Sequence, residues 1–149
     1  MAENFRLVAD VSKLARAFDA APAKTRRTVE VQIKMAVRDV RDEARTNHRF
    51  VSRSGMTERS IESVASGNTG TVSLTSDIAV YQHEGTRAHA IYPRTKQALR
   101  FVQNRGFVFA KRVNHPGIKK DQYLYQAADK MEPIIVSRFS AALDGLLEG

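Results

Sequence analysis

The residues best suited to chemistry cluster in YQHEGTRAHAIYP, residues 81 to 93, where His83 stands beside Glu84 and His89 follows. A zinc protease needs H-E-x-x-H on one helix, because two imidazoles one turn apart then reach the same metal. Here Gly85, Thr86 and Arg87 follow the His-Glu pair, and the next histidine is His89. The spacing is wrong, and Gly85 would end the helix that the motif requires. His83, His89 and His115 could still meet in the fold, but no carboxylate pattern accompanies them, so neither a metal nor another cofactor is expected. Serines are plentiful, yet there is no G-x-S-x-G elbow, phosphate loop or dinucleotide fingerprint. One enzymatic reading stays open. A small metal-free ribonuclease or toxin could use Arg87, His89, Tyr92 and Arg94 to move protons and clamp phosphate.

A second chemical feature is the placement of charge. From Gly85 to Lys120 there is no Asp or Glu, while Arg87, Arg94, Lys96, Arg100, Arg105, Lys111, Arg112, Lys119 and Lys120 all fall inside. The chain carries a net charge of +8, so everything outside this window sums to −1. Such a field favours phosphate or an acidic protein surface, and a basic nucleic-acid-binding module is one reading of it. A solvated face without a partner is the other. If a partner exists, the loop residues Arg94, Lys96, Arg105, Lys119 and Lys120 are the expected contacts, since strand residues must alternate their faces.

What could position these residues is bounded by composition. The 149 residues fit one domain, 42% are hydrophobic and 27% charged, values of a folded soluble chain. No apolar run long enough to span a membrane occurs, and MAENFRLVAD does not read as a secretory signal. Cysteine is absent, which removes disulfides, thiolate metal sites and cysteine nucleophiles and points to the cytosol as the place of synthesis.

Periodicity supplies the elements. FRLVA (5–9) reads as a short strand, and Asp10 can cap a helix with Val11, Leu14, Ala15 and Phe18 on one face. Pro22 should break that helix. A longer helix is expected over about 23–47, with Val29, Ile33, Ala36, Val37, Val40 and Ala44 as its apolar stripe and Glu30–Lys34 and Arg38–Asp42 as i,i+4 pairs. VSRSGMTERSI reads as a loop leading into a helical turn, and IESVASGNTGTVSLTS as two strands separated by Gly67-Asn68-Thr69-Gly70. Asp77 can cap the short helix DIAVYQHE, which Gly85 would end. Beyond Pro93, ALRFVQ and GFVFAKRV are strands joined across Asn104-Arg105-Gly106, and Asn114-His115-Pro116-Gly117 is a turn by composition. A last helix spans about 122–147, with Leu124, Ala127, Ala128, Met131, Ile134, Ile135, Phe139, Ala142 and Leu146 facing inward and Pro133 inside it. The expected class is α+β, with long N-terminal helices and a C-terminal helix packed on a small antiparallel sheet of hairpins.

In order, these pieces match a pattern. Ser54-Gly55 with Arg59-Ser60-Ile61 comes first, then Tyr81 with Glu84-Gly85-Thr86, Ile91 and Pro93. Ala98-Leu99 and Phe101, Val108-Phe109 with Lys111 and Val113, His115-Pro116-Gly117, and Leu124 with Ala127 follow. Over roughly residues 54–128 the chain resembles the head–tail joining, or tail-completion, proteins of long-tailed bacteriophages. It departs from them at Met56-Thr57-Glu58, where that family has a leucine.

The resemblance implies a structural, non-enzymatic virion protein, assembled in the host bacterial cytoplasm and located at the head–tail junction. It implies a ring related to a hexamer, meeting a connector, stopper, tail terminator or tail tube, with packaged DNA a further partner for the basic segment and no membrane involved. On this reading Gly85, Pro93, Pro116 and Gly117 are structural turns, His89 and His115 are loop residues, and YQHEGTRAHAIYP is a corner.

Overall fold

The computed structural model describes residues 22–147. The expected strand at 5–9 and the helix beginning at Asp10 lie outside the described residues. The elements are α1 (Ala23–Thr46), α2 (Met56–Arg59), β1 (Ile61–Ser66), β2 (Thr69–Leu74), α3 (Asp77–Glu84), β3 (His89–Ile91), β4 (Leu99–Gln103), β5 (Gly106–Ala110), β6 (Val113–His115) and α4 (Tyr123–Leu147). The class is α+β with a long C-terminal helix. The strands do not share one sheet: β1–β2, β3–β6 and β4–β5 are three separate antiparallel pairs. No helix among the described residues is long and apolar enough to cross a membrane.

Helix α1 begins directly after Pro22, whose carbonyl accepts the first helical bond from the Arg26 N–H at 3.1 Å. Its stripe lies as the period demands, with Val29, Val40 and Ala44 buried and Ile33, Ala36 and Val37 half-buried. Neither expected i,i+4 ion pair forms. Asp42 instead pairs with Arg41 at 2.8 Å. Two longer-range pairs tie α4 to α1, Lys130 to Glu43 at 2.6 Å and Arg138 to Asp39 at 2.7 Å.

The β1–β2 hairpin lies on α1 through alternating residues. Ile61, Val72 and Leu74 face inward and are buried, while Glu62 and Val64 face out. Its turn is shorter than expected: Thr69 and Gly70 already belong to β2. At Gly70 an added Cβ would run into Val37 and stand 3.0 Å from Ile33, so a bare backbone is what lets β2 approach the helix. Helix α4 completes the core with Tyr123, Leu124 and Ala127, and continues through Pro133. Ile134 is exposed rather than part of the buried stripe, because one residue before Ile135 the helix has turned it ~100° away. Fully buried side chains such as Ile61, Leu74 and Leu124 each contribute about 1.5–3 kcal/mol. None of the α2 residues is buried, Met56 included.

Candidate functional site

The acid-free window leaves this body through one narrow joint. Helix α3 starts at Ser76, whose Oγ accepts the Ile78 N–H at 3.2 Å; Asp77, expected as the cap, is the first helical residue instead. There its carboxylate still suits the positive end of the helix. The helix stops where Gly85, at φ 77°, donates its N–H to the Tyr81 carbonyl at 2.9 Å. Thr86 and Ile118 then exchange backbone hydrogen bonds of 2.9 and 3.1 Å, which closes residues 86–118 into a loop.

Both sides of the joint are glycine positions. A Cβ on Gly85 would sit 2.8 Å from the Ile118 carbonyl oxygen and 2.9 Å from the Lys120 nitrogen. A Cβ on Gly117, at φ 88°, would run into the Thr86 carbonyl oxygen. Only glycine meets both the left-handed conformation and the close approach. Just past the joint, the buried carboxylate of Asp121 accepts the Arg49 N–H at 2.6 Å and its Nε–H at 3.2 Å.

Beyond the joint the chain forms a two-stage arm. Strands β3 and β6 pair first, with His89 opposite His115, Ala90 opposite Asn114 and Ile91 opposite Val113. His89, His115 and Asn114, expected in loops or a turn, are therefore strand residues, because the window folds back on itself and β6 finds β3. The His89 Nδ1–H donates to the Arg87 carbonyl at 2.9 Å, and His115 Nδ1 accepts the Gly117 N–H at 3.0 Å. The two rings stack at 5.1 Å. Pro93 follows β3 and Pro116 follows β6, at the places where pairing ends.

The second stage is the β4–β5 hairpin, turning at Asn104 (φ 48°) and Arg105 (φ 68°). Two positive φ values make the tight turn whose twist matches that of paired strands. Its register puts Leu99, Phe101, Val108 and Ala110 on one face and Arg100, Val102, Phe107 and Phe109 on the other. The second face is open to solvent: Val102 is 70% exposed, Phe107 61% and Phe109 67%. The Arg100 guanidinium lies over the Phe107 ring at 4.6 Å.

The expected contact residues are all exposed, but they are not one patch. Arg94 and Lys96 lie in the segment between β3 and β4, Arg105 in the hairpin turn, and Lys119 and Lys120 at the joint. A five-residue strand is roughly 16 Å long, so Arg105 stands about that far along β4 from the segment that holds Arg94 and Lys96, while Lys119 and Lys120 lie on the other side of the β3–β6 pair. Lys120 is 3.6 Å from Glu84 and Arg112 bonds Asn114 at 3.1 Å beside Tyr92. Arg94, Lys96, Arg105, Lys111 and Lys119 have no hydrogen-bond or ion-pair partner among the described residues.

His83, whose spacing to His89 argues against a metal motif, is a packing residue. His83 is fully buried, its Nδ1 2.8 Å from a Glu84 oxygen and its ring against Tyr123 and Tyr125 at 5.2 and 5.0 Å. Tyr123 donates its hydroxyl to the Ala79 carbonyl at 2.9 Å, and burial, with Asp121 and Glu58 adding negative charge, pushes its pKa well up. Of the residues weighed for ribonuclease chemistry, Tyr92 lies beneath Arg112, while Arg87 and His89 border an open groove with Tyr81, His115 and Ile118. Among the described residues no group of three or more His, Asp or Glu is placed to hold a metal ion.

No family model, curated protein or solved structure matches this chain. Three features of that arm and its joint were not picked out from the sequence, although each had a signal. GFVF is apolar on both alternating faces, and a two-stranded hairpin can cover only one. Tyr123 stands four residues before Ala127 and so extends the α4 stripe back by a turn, and Asp121 stands where a helix-starting residue would.

Proposed function

We propose that this chain is a structural virion protein of a long-tailed bacteriophage, assembling as a ring at the head–tail junction and joining tail to head. The observation that carries this reading is the joint. Two pieces of the resemblance, Glu84-Gly85-Thr86 and His115-Pro116-Gly117, are the two sides of a single backbone clamp. That clamp presents an arm with unpaired cations and bare aromatic side chains, which suits a protein that works through contacts. Arg105 adds support: a non-glycine residue at φ 68° is strained, and its place at the exposed tip fits a residue kept for what it touches.

The test is assembly. Phage made without this protein should yield separate filled heads and tails, and adding the purified protein back should join them. Normal particles in its absence would end the reading. A nucleic-acid-binding role is the second reading, favoured by the combination of free cations with exposed Tyr92, Phe101, Phe107 and Phe109, since such surfaces track a backbone and stack bases. It requires affinity for single- or double-stranded DNA that falls steeply with salt.

A further inference from the structure

We infer that the open face of the β4–β5 hairpin docks on the outer stripe of α4 in a second copy of this chain, head to tail. The inference rests on the ring reading only for the closure of the contacts into a circle. The contact itself follows from two surfaces of the same molecule that complement each other.

One surface is the hairpin face already described, with Val102, Phe107 and Phe109 at its centre and Arg100 beside them. Lys111 continues the same alternation just past β5, and Arg105 stands at the turn. The centre is apolar and the rim is cationic. The other surface is on α4. At ~100° per residue, Asp129, Glu132, Val136, Ser140 and Leu143 recur at i, i+3, i+7, i+11 and i+14 and share one side of the helix, with Asp144 adjoining. All six are exposed, Val136 by 56% and Leu143 by 39%.

The sign of that stripe has a structural cause. The cations of α4 are Lys130 and Arg138, and both are turned to carboxylates of α1, Glu43 at 2.6 Å and Asp39 at 2.7 Å. Asp129, Glu132 and Asp144 have no ion-pair partner among the described residues. What α4 offers outward is therefore two apolar side chains between unpaired acids. A basic-rimmed apolar face and an acid-rimmed apolar face on one chain attract each other between copies. Because the two surfaces differ, the contact is heterologous, and repeated contacts close into a ring or run on as a filament.

The chain has no cysteine, so engineered thiols report the contact cleanly. Phe107→Cys and Val136→Cys are made separately in the full chain; both sites are exposed, and circular dichroism checks the fold. Mixed and mildly oxidised, the two variants should give a 107–136 disulfide dimer, at least about tenfold in excess over a control pair of Phe107→Cys with Glu62→Cys. A 107–107 dimer alone would mean a two-fold contact and overturns the inference. So does no cross-link. Protection of the thiol introduced by Val136→Cys from thiol reagents in the isolated monomer also overturns it, because the same chain would then already cover the stripe.

A second measurement does not depend on cross-linking. Arg100→Glu with Lys111→Glu should weaken self-association about tenfold or more, and pairing it with Asp129→Lys/Glu132→Lys protein should restore mixed assembly. No weakening, or no restoration, overturns the inference. A ring that forms without the 107–136 link leaves the virion reading standing and removes this contact. A 107–136 link in a protein whose loss does not affect phage particles keeps the contact and removes the virion reading.

Discussion

Two hairpins in this molecule are built alike and end differently. Both β1–β2 and β4–β5 are antiparallel pairs joined by a two-residue turn. In β1–β2 the alternation separates Ile61, Val72 and Leu74, which are buried on α1, from Glu62, Ser66, Thr71 and Ser73 on the outer side. In β4–β5 both faces are apolar, and no residue of either strand is buried. A lone two-stranded hairpin is marginal in water, and a bare aromatic face on it marks a surface meant for contact. The first hairpin buries its apolar face inside its own chain, and the second leaves its apolar face in solvent.

Removing apolar bulk from each hairpin should have very different effects. Ile61→Ala should cost about 2–5 kcal/mol, because it leaves a cavity in a packed core. Phe107→Ala should change stability by less than about 0.5 kcal/mol, since the ring is exposed and meets little beyond the Arg100 guanidinium. Urea melts of the two variants provide the check. Comparable losses would mean that the arm is part of the cooperative core.

The joint between the regions comes next. Gly85→Val must place a branched side chain at φ 77° and against the Ile118 carbonyl and Lys120 backbone. The expected cost is about 2 kcal/mol or more. A native-like melt would show that the arm does not need this clamp.

Titration separates the regions by sign. The Lys130 ammonium, helped by Asn47, holds the Glu43 carboxyl below its usual range, and the Ser52 hydroxyl does the same for Glu58. A carboxyl lowered in the folded state contributes stability that is complete above its unfolded pKa and lost as pH falls through the folded one. Stability should therefore decline from about pH 5 downward, with Glu43→Gln flattening the decline. The arm has no carboxylate to titrate, so all of this belongs to the body. An unchanged acid limb in Glu43→Gln would rule out the Lys130 pair as its source.

Most of the body was legible in the sequence because its elements obey one period each. The α1 stripe, the β2 alternation and the stop at Gly85 follow from local rules, and tertiary contacts only reinforce them. The arm was half legible. Its charge and its two hairpin strands could be read, but the β3–β6 pairing joins His89 to His115 across almost the whole basic window, and nothing local in His89 or Asn114 announces a partner. The cap went to Ser76 over Asp77 for a similar reason: both can accept the bond, and only the backbone angle at Ser76, φ −117°, ψ 135°, decides between them. The candidate contacts were legible as residues and not as a surface, since their spread from joint to tip is set by that pairing.

A smaller effect tests the hairpin turn. Replacing Arg105 by Gly relieves a side chain at φ 68°, so the β4–β5 amides should exchange about two- to fivefold more slowly, equivalent to about 0.5–1 kcal/mol. The same variant should join heads and tails less well if the tip is a contact. Faster exchange would mean that the arginine itself holds the turn.

The smallest expected effect on stability is also the most informative about function. Arg94, Lys96, Lys119 and Lys120 are exposed, and of the four only Lys120 has an ion-pair partner among the described residues, Glu84 at 3.6 Å. An exposed pair of that length contributes about 0–1 kcal/mol. Changing all four to Gln should leave the melting temperature within a few degrees, and removing like charges that lack a carboxylate among them can even relieve repulsion. A concentration of positive charge that does nothing for the subunit makes physical sense when a negative surface offsets it after assembly. The fourfold variant should therefore fold normally and, on the proposed function, fail to join tails to heads. If the surface it meets is DNA, binding should weaken and its salt dependence flatten, by about one unit of slope for each phosphate that is no longer neutralised. Infectious particles at the normal yield would mean that these charges are solvated, and the working surface would then be the aromatic face of β4–β5 alone.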